Sequence, residues 1–148
     1  MIKANVHKGN ENLEGVLSIR YEVFVKEQNV SEELEMDGLD HLCTHISLID
    51  EDKGKVFACS RVIEKKDGFY IGRVAVLKEY RGKDYGKMVV LETEKYLKSK
   101  YFDKEVTEIF LNAQIQVIDF YKKIGYVEIG DFFYEANIKH KKMKKNLI

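Results

Sequence analysis

The sequence predicts an α+β domain built on a mixed central sheet of about six to seven strands flanked by about four helices. Three observations carry that expectation. Hydrophobic residues make up 45% of a 148-residue chain, enough for one sizeable core, so 1–148 reads as a single domain. Between positions 69 and 112 an apolar run passes through a Gly-punctuated turn into a long helical pattern and out into another apolar run. That order is a βαβ unit with a right-handed crossover and two parallel strands. Other apolar runs are joined by Asp52-Lys53-Gly54 and Lys66-Asp67-Gly68, short turns that make their neighbours antiparallel hairpins.

Taken in order, residues 2–7 form a first strand, and Gly9-Asn10 supplies a turn and an N-cap. Leu13, Val16, Leu17, Phe24 and Val25 then share one helical face through about residue 26, while Glu11, Glu14 and Lys26 stay in water. Positions 29–41 are acid-rich and aperiodic, a loop with room for a short helical turn. Strands follow at 43–50, 55–64 and 69–77. A helix over 85–100 carries Tyr85, Met88, Val89, Tyr96 and Leu97 inward, and the crossover sets a strand at 107–112 beside 74–77. A short helix at 117–124 ends at Gly125, and strands at 126–134 and 137–144 complete the order. The chain has no proline, so Gly, Asn and Asp mark its boundaries.

Lys and Arg number 25 and Asp and Glu also 25, so no global field selects nucleic acid or a membrane as partner. The five lysines within 139–145 read as a solvated terminal strand. Cys43 and Cys59 sit in apolar runs without CxxC or metal-ligand spacing, as buried free thiols of a reducing compartment do. Neither a signal peptide nor a membrane-spanning apolar run is recognisable, and the expected location is cytoplasmic.

The run from Gly72 to Leu91 carries the chemistry. Its apolar strand breaks into a basic, Gly-punctuated turn and then a helix. Backbone N–H groups of such a turn and of the first helical turn converge on one point, where the helix dipole, Arg81, Lys83 and Lys87 add positive charge. A phosphate or pyrophosphate fits there. The spacing matches neither the Walker nor the dinucleotide-binding pattern. It resembles motif A of the GNAT acetyltransferases, whose Arg/Gln-x-x-Gly-x-Gly/Ala loop wraps the CoA pyrophosphate. Asp84 replaces the first of those glycines, and Asp tolerates a left-handed backbone better than most residues. The resemblance implies acetyl-CoA contacts at Val74, Ala75, Val76, Arg81, Gly82, Lys83, Asp84, Tyr85, Gly86 and Lys87. It also implies a bulge at 74–77 that splays two parallel strands and lends backbone N–H groups to the thioester carbonyl, with Val76 the expected donor.

Residues Ile109 to Gln114 followed by Asp119 to Tyr126 resemble motif B of the same family. On that resemblance Asn112 hydrogen-bonds the pantetheine arm or an ordered water, and the Tyr121 hydroxyl protonates the departing thiolate. From periodicity alone, Phe120, Tyr121 and Ile124 could equally be a core stripe. Three further segments, Arg20 to Gln28, Glu35 to Asp40 and Ala136 to Met143, together with His45 and Arg61, resemble the ElaA-like branch of the superfamily. There the family usually reads Gly-Ile-Pro-His; Asn137 and Lys139 depart from it, while His140 and Met143 keep the pattern. The resemblance covers essentially the whole chain and implies the GNAT acyl-CoA N-acyltransferase fold.

Three acids spaced Glu-x-Asp-x-x-Asp repel one another unless something cationic lies among them, and Arg20 and Arg61 are the candidates. Two readings stay open, an ion network fastening the loop to the sheet and a negative pocket for a cationic amine formed by Glu27, Asp37, Asp40, His45 and Arg61. Carboxylates holding a metal form a third, and no metal is expected. An acceptor amine arrives protonated, with a pKa of about 10 if it resembles lysine, and needs a base, which could be His140, Glu27, Asp37 or a water wired through them.

The expected activity is transfer of an acetyl group from acetyl-CoA to a primary amine of a small molecule or peptide, by direct attack in a ternary complex. No cysteine sits where a covalent intermediate would require one. Two alternatives remain. Arg20, Phe24, Glu35, Asp37, Asp40 and Arg61 also resemble the pattern of acyl-homoserine lactone synthases, which bind S-adenosylmethionine, and a non-catalytic acyl-CoA-binding module would keep the same fold. Edge strands could pair two copies as a homodimer.

Overall fold

The computed structural model describes residues 1–101 and 107–147. Strand β1 (Ile2–Lys8) leads into helix α1 (Glu14–Arg20), which continues in wider π-type turns over Tyr21–Glu27; the short helix α2 (Glu32–Glu35) follows. Strands β2 (Thr44–Asp50), β3 (Lys55–Lys65) and β4 (Gly68–Val76) form a meander, and the long helix α3 (Tyr85–Tyr101) leads to β5 (Glu108–Gln114). Helix α4 (Ile118–Ile124), β6 (Val127–Glu135) and β7 (Ile138–Asn146) complete the order. The strands make one seven-stranded sheet in the order β1-β2-β3-β4-β5-β7-β6. Every described pairing is antiparallel except β4 with β5.

Helices cover the sheet on both sides. Val89, Val90 and Leu97 of α3 pack with Ile46, Leu48, Phe57, Phe69 and Leu111 in the larger core. Leu13, Val16, Ile19 and Val23 pack against Cys59 and Ala75 in a smaller one. Alternation of side chains along β3 and β4 is what feeds both. Helix α1 lies close on β3 because residue 15 is glycine, where a Cβ would come within 2.9 Å of Val56. No described helix is long and apolar enough to cross a membrane.

Two local expectations differ from the structure. Helix α1 begins at Glu14 with Leu13 as its N-cap, not at Asn10. The intervening residues are held as a turn by Gly9 N–H donating to the Cys43 carbonyl at 2.9 Å and by left-handed backbone at Gly9 and Asn12. The parallel ladder runs Phe69–Ile71 against Ile109–Leu111, upstream of the expected 74–77. The cause is a register shift opposite Cys59 to Arg61, which turns the end of β4 aside, while β5 stays paired with β7 along its length. Helix α4 ends as expected, at Gly125 with φ of 109°.

Candidate active site

Past Ile71 and Leu111 the strands β4 and β5 part, and a cleft of about 1050 Å³ opens between them. Its walls come from Glu27 and Gln28 after α1, the α2 loop, the loop before α3, the start of α4 and the β6–β7 hairpin. The backbone at the end of β4 is oriented by alternation. Leu77 N–H donates to the Phe57 carbonyl on β3 at 2.9 Å, while the Val76 carbonyl accepts from Arg81 Nε at 2.9 Å. A residue's N–H and C=O point to the same side of a strand, so the Val76 amide faces away from β3, toward the parting of the strands.

The turn between β4 and α3 has left-handed backbone at Gly82 (φ 80°) and Asp84 (φ 65°). Asp84 adopts the conformation expected of it, and its carbonyl accepts from Met88 N–H at 3.0 Å as the helix begins. At Gly86 the start of α3 approaches α4 closely, since a Cβ there would lie 3.3 Å from Phe120 Cζ. Gly82, Asp84, Tyr85 and Gly86 line the cleft; Lys83 and Lys87 are exposed and do not. The Arg81 guanidinium makes a bidentate pair with Glu27, both contacts 2.9 Å. Two residues expected at opposite ends of the site are therefore bound to each other.

On the β5 side, Asn112 is exposed to the cleft at the first position beyond the parallel ladder. Tyr121 on α4 is buried and lines the same cleft, its ring edge-on to Phe120 and Tyr126. Burial pushes its phenol up, so it stays protonated. His140 on β7 lies 2.6 Å through Nδ1 from the Ile138 carbonyl, and a carbonyl only accepts, so Nδ1 donates there and Nε2 is the ring nitrogen turned to the cleft side of the contact with Glu135. Glu135 Oε2 stands 3.9 Å from that Nε2, and the Phe133 ring stacks on the imidazole.

The acidic loop is tied by three arginines. Arg20, with no exposed surface, donates from Nε and an Nη to the Glu35 carboxylate and from its other Nη to Asp40 at 2.8 Å. Arg61 reaches Asp37 at 2.7 and 2.9 Å and Asp40 at 3.1 Å. Arg73 reaches Glu35 Oε2 at 3.1 Å and Asp37 Oδ2 at 3.3 Å. Burial works to raise the Asp37 carboxyl, but Arg61, the Leu39 N–H and Arg73 outweigh it and bring it to about 2. Asp40 is likewise opposed by burial yet lowered by Arg20 and Arg61.

Arg73 went unnoticed in the sequence. Charge balance could have found it, because three mutually close carboxylates had only two arginines to answer them. Of the residues expected to hold an acceptor, Glu27, Asp37 and Arg61 line the cleft, as does His140, and Asp40 and His45 do not. His45 is fully buried, its Nε2–H donating to the Asp40 carbonyl at 3.1 Å, and burial lowers its basicity. Among the described residues, no cluster of three or more His, Cys, Asp or Glu side chains is arranged to hold a metal.

A splayed parallel pair, an amide turned into the gap and a Gly-containing loop opening a long helix define an acyl-CoA N-acyltransferase architecture. A family model of the acetyltransferase (GNAT) domain matches residues 8–147, and the chain belongs to that family. It is 36% identical over 147 residues to the uncharacterised N-acetyltransferase YjcF of Bacillus subtilis, covering 98% of this chain and 100% of that protein. The crystal structure of Escherichia coli ElaA superposes with a TM-score of 0.85 at 26% identity, covering 97% of this chain and 99% of ElaA. An acyl-CoA N-acyltransferase from Pseudomonas aeruginosa shares the fold with a TM-score of 0.85 at 23% identity, covering 98% of this chain and 99% of that one.

Proposed function

We propose that the cleft moves an acetyl group from acetyl-CoA to a primary amine of a small molecule or peptide by direct attack, in the cytoplasm. The observation that carries this reading is the Val76 amide turned into the gap between β4 and β5, with the α3 loop at one end and Tyr121 on the wall. The donor set suits acetyl-CoA. Left-handed Gly82 and Asp84 and the close-packed Gly86 let backbone N–H groups at the start of α3 surround a pyrophosphate, which the helix dipole favours. Exposed Lys83 and Lys87 add positive charge nearby, and Val74, Ala75 and Asn112 flank the pantetheine arm.

Each step then falls to a named group. The Val76 N–H takes the negative charge that develops on the acyl oxygen. Tyr121 O–H, kept protonated by burial, protonates the departing thiolate. His140 Nε2 takes the proton from the attacking amine, and the Glu135 carboxylate at 3.9 Å stabilises the imidazolium that results. Glu27, Asp37 and Arg61 border the acceptor's side of the cleft. Direct attack is supported by the thiols. Burial raises Cys43 and pushes Cys59 up to about 12, and neither lines the cleft, so neither is poised as a nucleophile.

The test is calorimetric titration with acetyl-CoA, free CoA and S-adenosylmethionine, followed by thiol release over a panel of primary amines. Micromolar binding of acetyl-CoA, weakened in Arg81→Ala and unmatched by S-adenosylmethionine, supports the assignment. Binding of S-adenosylmethionine instead moves the chain to lactone-synthase-like chemistry. Failure to bind either CoA species refutes the transferase reading.

A further inference from the structure

Arg73 is in a backbone conformation that its residue type disfavours. Its φ is 51°, a left-handed value that brings the Cβ of a non-glycine residue against its own carbonyl oxygen. The position is the extra residue of a bulge. Upstream, Arg61 pairs with Gly72; downstream, Cys59 pairs with Ala75, so Ser60 on β3 stands opposite both Arg73 and Val74 on β4. Glycine is the usual occupant of such a site. Here the side chain does what a glycine could not. Arg73 Nε donates to Glu35 Oε2 at 3.1 Å, and an Nη donates to the Glu35 carbonyl at 2.9 Å, the Leu34 carbonyl at 3.3 Å and Asp37 Oδ2 at 3.3 Å. The Arg73 carbonyl in turn accepts from Cys59 Sγ at 3.4 Å.

The bulge sets the phase of everything after it. Because amide direction alternates along a strand, one residue taken out of the ladder decides which N–H faces β3 and which faces the cleft. Without the extra residue, the Val76 amide would turn toward β3 and the gap would lose its donor. We infer that Arg73 is a positioning residue for acyl transfer: its guanidinium, clamped to the Glu35–Asp37 loop, holds the bulge that aims the Val76 N–H at the acyl carbonyl. The inference rests on the transferase reading above. It also makes the acidic loop part of the thioester side of the site, since the same clamp joins the loop to β4.

The experiment is the infrared spectrum of acetyl-CoA carrying a 13C carbonyl, bound to the wild-type protein and to Arg73→Gly. Glycine takes a φ of 51° without steric cost, so this variant loses the clamp and keeps the backbone freedom. In wild type the bound carbonyl stretch lies below its value in water, the signature of a directed hydrogen bond. In Arg73→Gly it returns toward the free value while acetyl-CoA affinity holds, and turnover of an amine found in the panel falls about 10²-fold, as for a misaimed donor. A wild-type carbonyl frequency in bound Arg73→Gly overturns the positioning role and leaves the transferase reading intact. So does loss of acetyl-CoA binding in the variant, which would assign Arg73 to cofactor affinity. Absence of binding by the wild type is the failure of the transferase reading itself. Arg73→Lys, which keeps the charge but cannot span four acceptors, gives the same readout if Arg73→Gly does not fold.

Discussion

Replacing Arg20 by methionine tests whether the acidic loop is held by buried charge. Arg20 has no exposed surface and Glu35 only 3%, and Arg20 makes three hydrogen bonds to carboxylate oxygens and a fourth to the Glu35 carbonyl at 3.2 Å. Removing one partner of a buried ion pair costs about 3–5 kcal/mol, because the other charge stays behind without compensation. In the variant Glu35 keeps Arg73 and Asp40 keeps Arg61, so the low end applies, about 3 kcal/mol. At roughly 2–4 °C per kcal/mol for a chain near this size, the melting temperature drops by about 6–12 °C. A thermal melt followed by circular dichroism measures that drop, and urea unfolding measures the free-energy change, with an unchanged m-value marking a change in stability alone. Arg20→Met combined with Glu35→Leu recovers part of the loss, since an apolar pair of similar volume replaces the two charges while Arg73 keeps Asp37 and the Leu34 and Glu35 carbonyls. A cost below about 1 kcal/mol for Arg20→Met would place the network with surface ion pairs and refute the reasoning.

Tyr121→Phe removes the hydroxyl alone; acetyl transfer should slow by about 10²-fold or more with acetyl-CoA affinity unchanged, and a variant as fast as wild type ends its role as acid. Gly86→Val adds branched bulk where a Cβ already meets Phe120 Cζ at 3.3 Å, and acetyl-CoA binding should weaken about tenfold at an overpacking strain of roughly 1–3 kcal/mol; calorimetry showing equal affinity would remove the α3 start from the binding site. Asp37 and Asp40 are both held below the ordinary value of 3.8, so their contribution to stability is present above about pH 4 and is lost as the pH falls, for Asp37 down to about 2. Urea midpoints between pH 6 and pH 2 should fall less steeply in Asp37→Asn, and parallel curves would contradict the pairing with Arg61 and Arg73.

Much of this fold was legible because its elements announce themselves locally. Helix α3 combines a 3.6-residue apolar period with a turn at Gly82 and Asp84 before it, and α4 ends on a glycine in a left-handed conformation that other residues avoid. The hairpin turns at 51–54 and 66–67 were equally plain. What stayed hidden is what depends on the partner strand. A bulge was expected at 74–77 from the family resemblance, but it begins at Arg73, and nothing in Gly72-Arg73-Val74 marks Arg73 as left-handed. The start of α1 follows from a hydrogen bond between Gly9 and Cys43, thirty-odd positions apart in sequence. For the site, the acidic spacing was visible together with Arg20 and Arg61, while the pairing of Glu27 with Arg81 needed the fold to bring together residues 54 positions apart.

The short parallel ladder has a consequence for how the chain folds and opens. Three residues on each side join β4 to β5, whereas β5 and β7 pair over seven. The sheet is therefore two leaves, β1 to β4 and β5-β7-β6, each drawn from one continuous stretch of chain. The hairpins β2–β3, β3–β4 and β6–β7 close short loops, whereas the seam joins residues 40 positions apart and closes only after α3 has spanned the gap. The seam has the fewest paired residues of any junction in the sheet and is the first to let go, so the amides of Phe69 and Ile71, which face β5, should exchange with solvent ahead of those in the middle of β3, and the width of the cleft is set where the sheet is weakest.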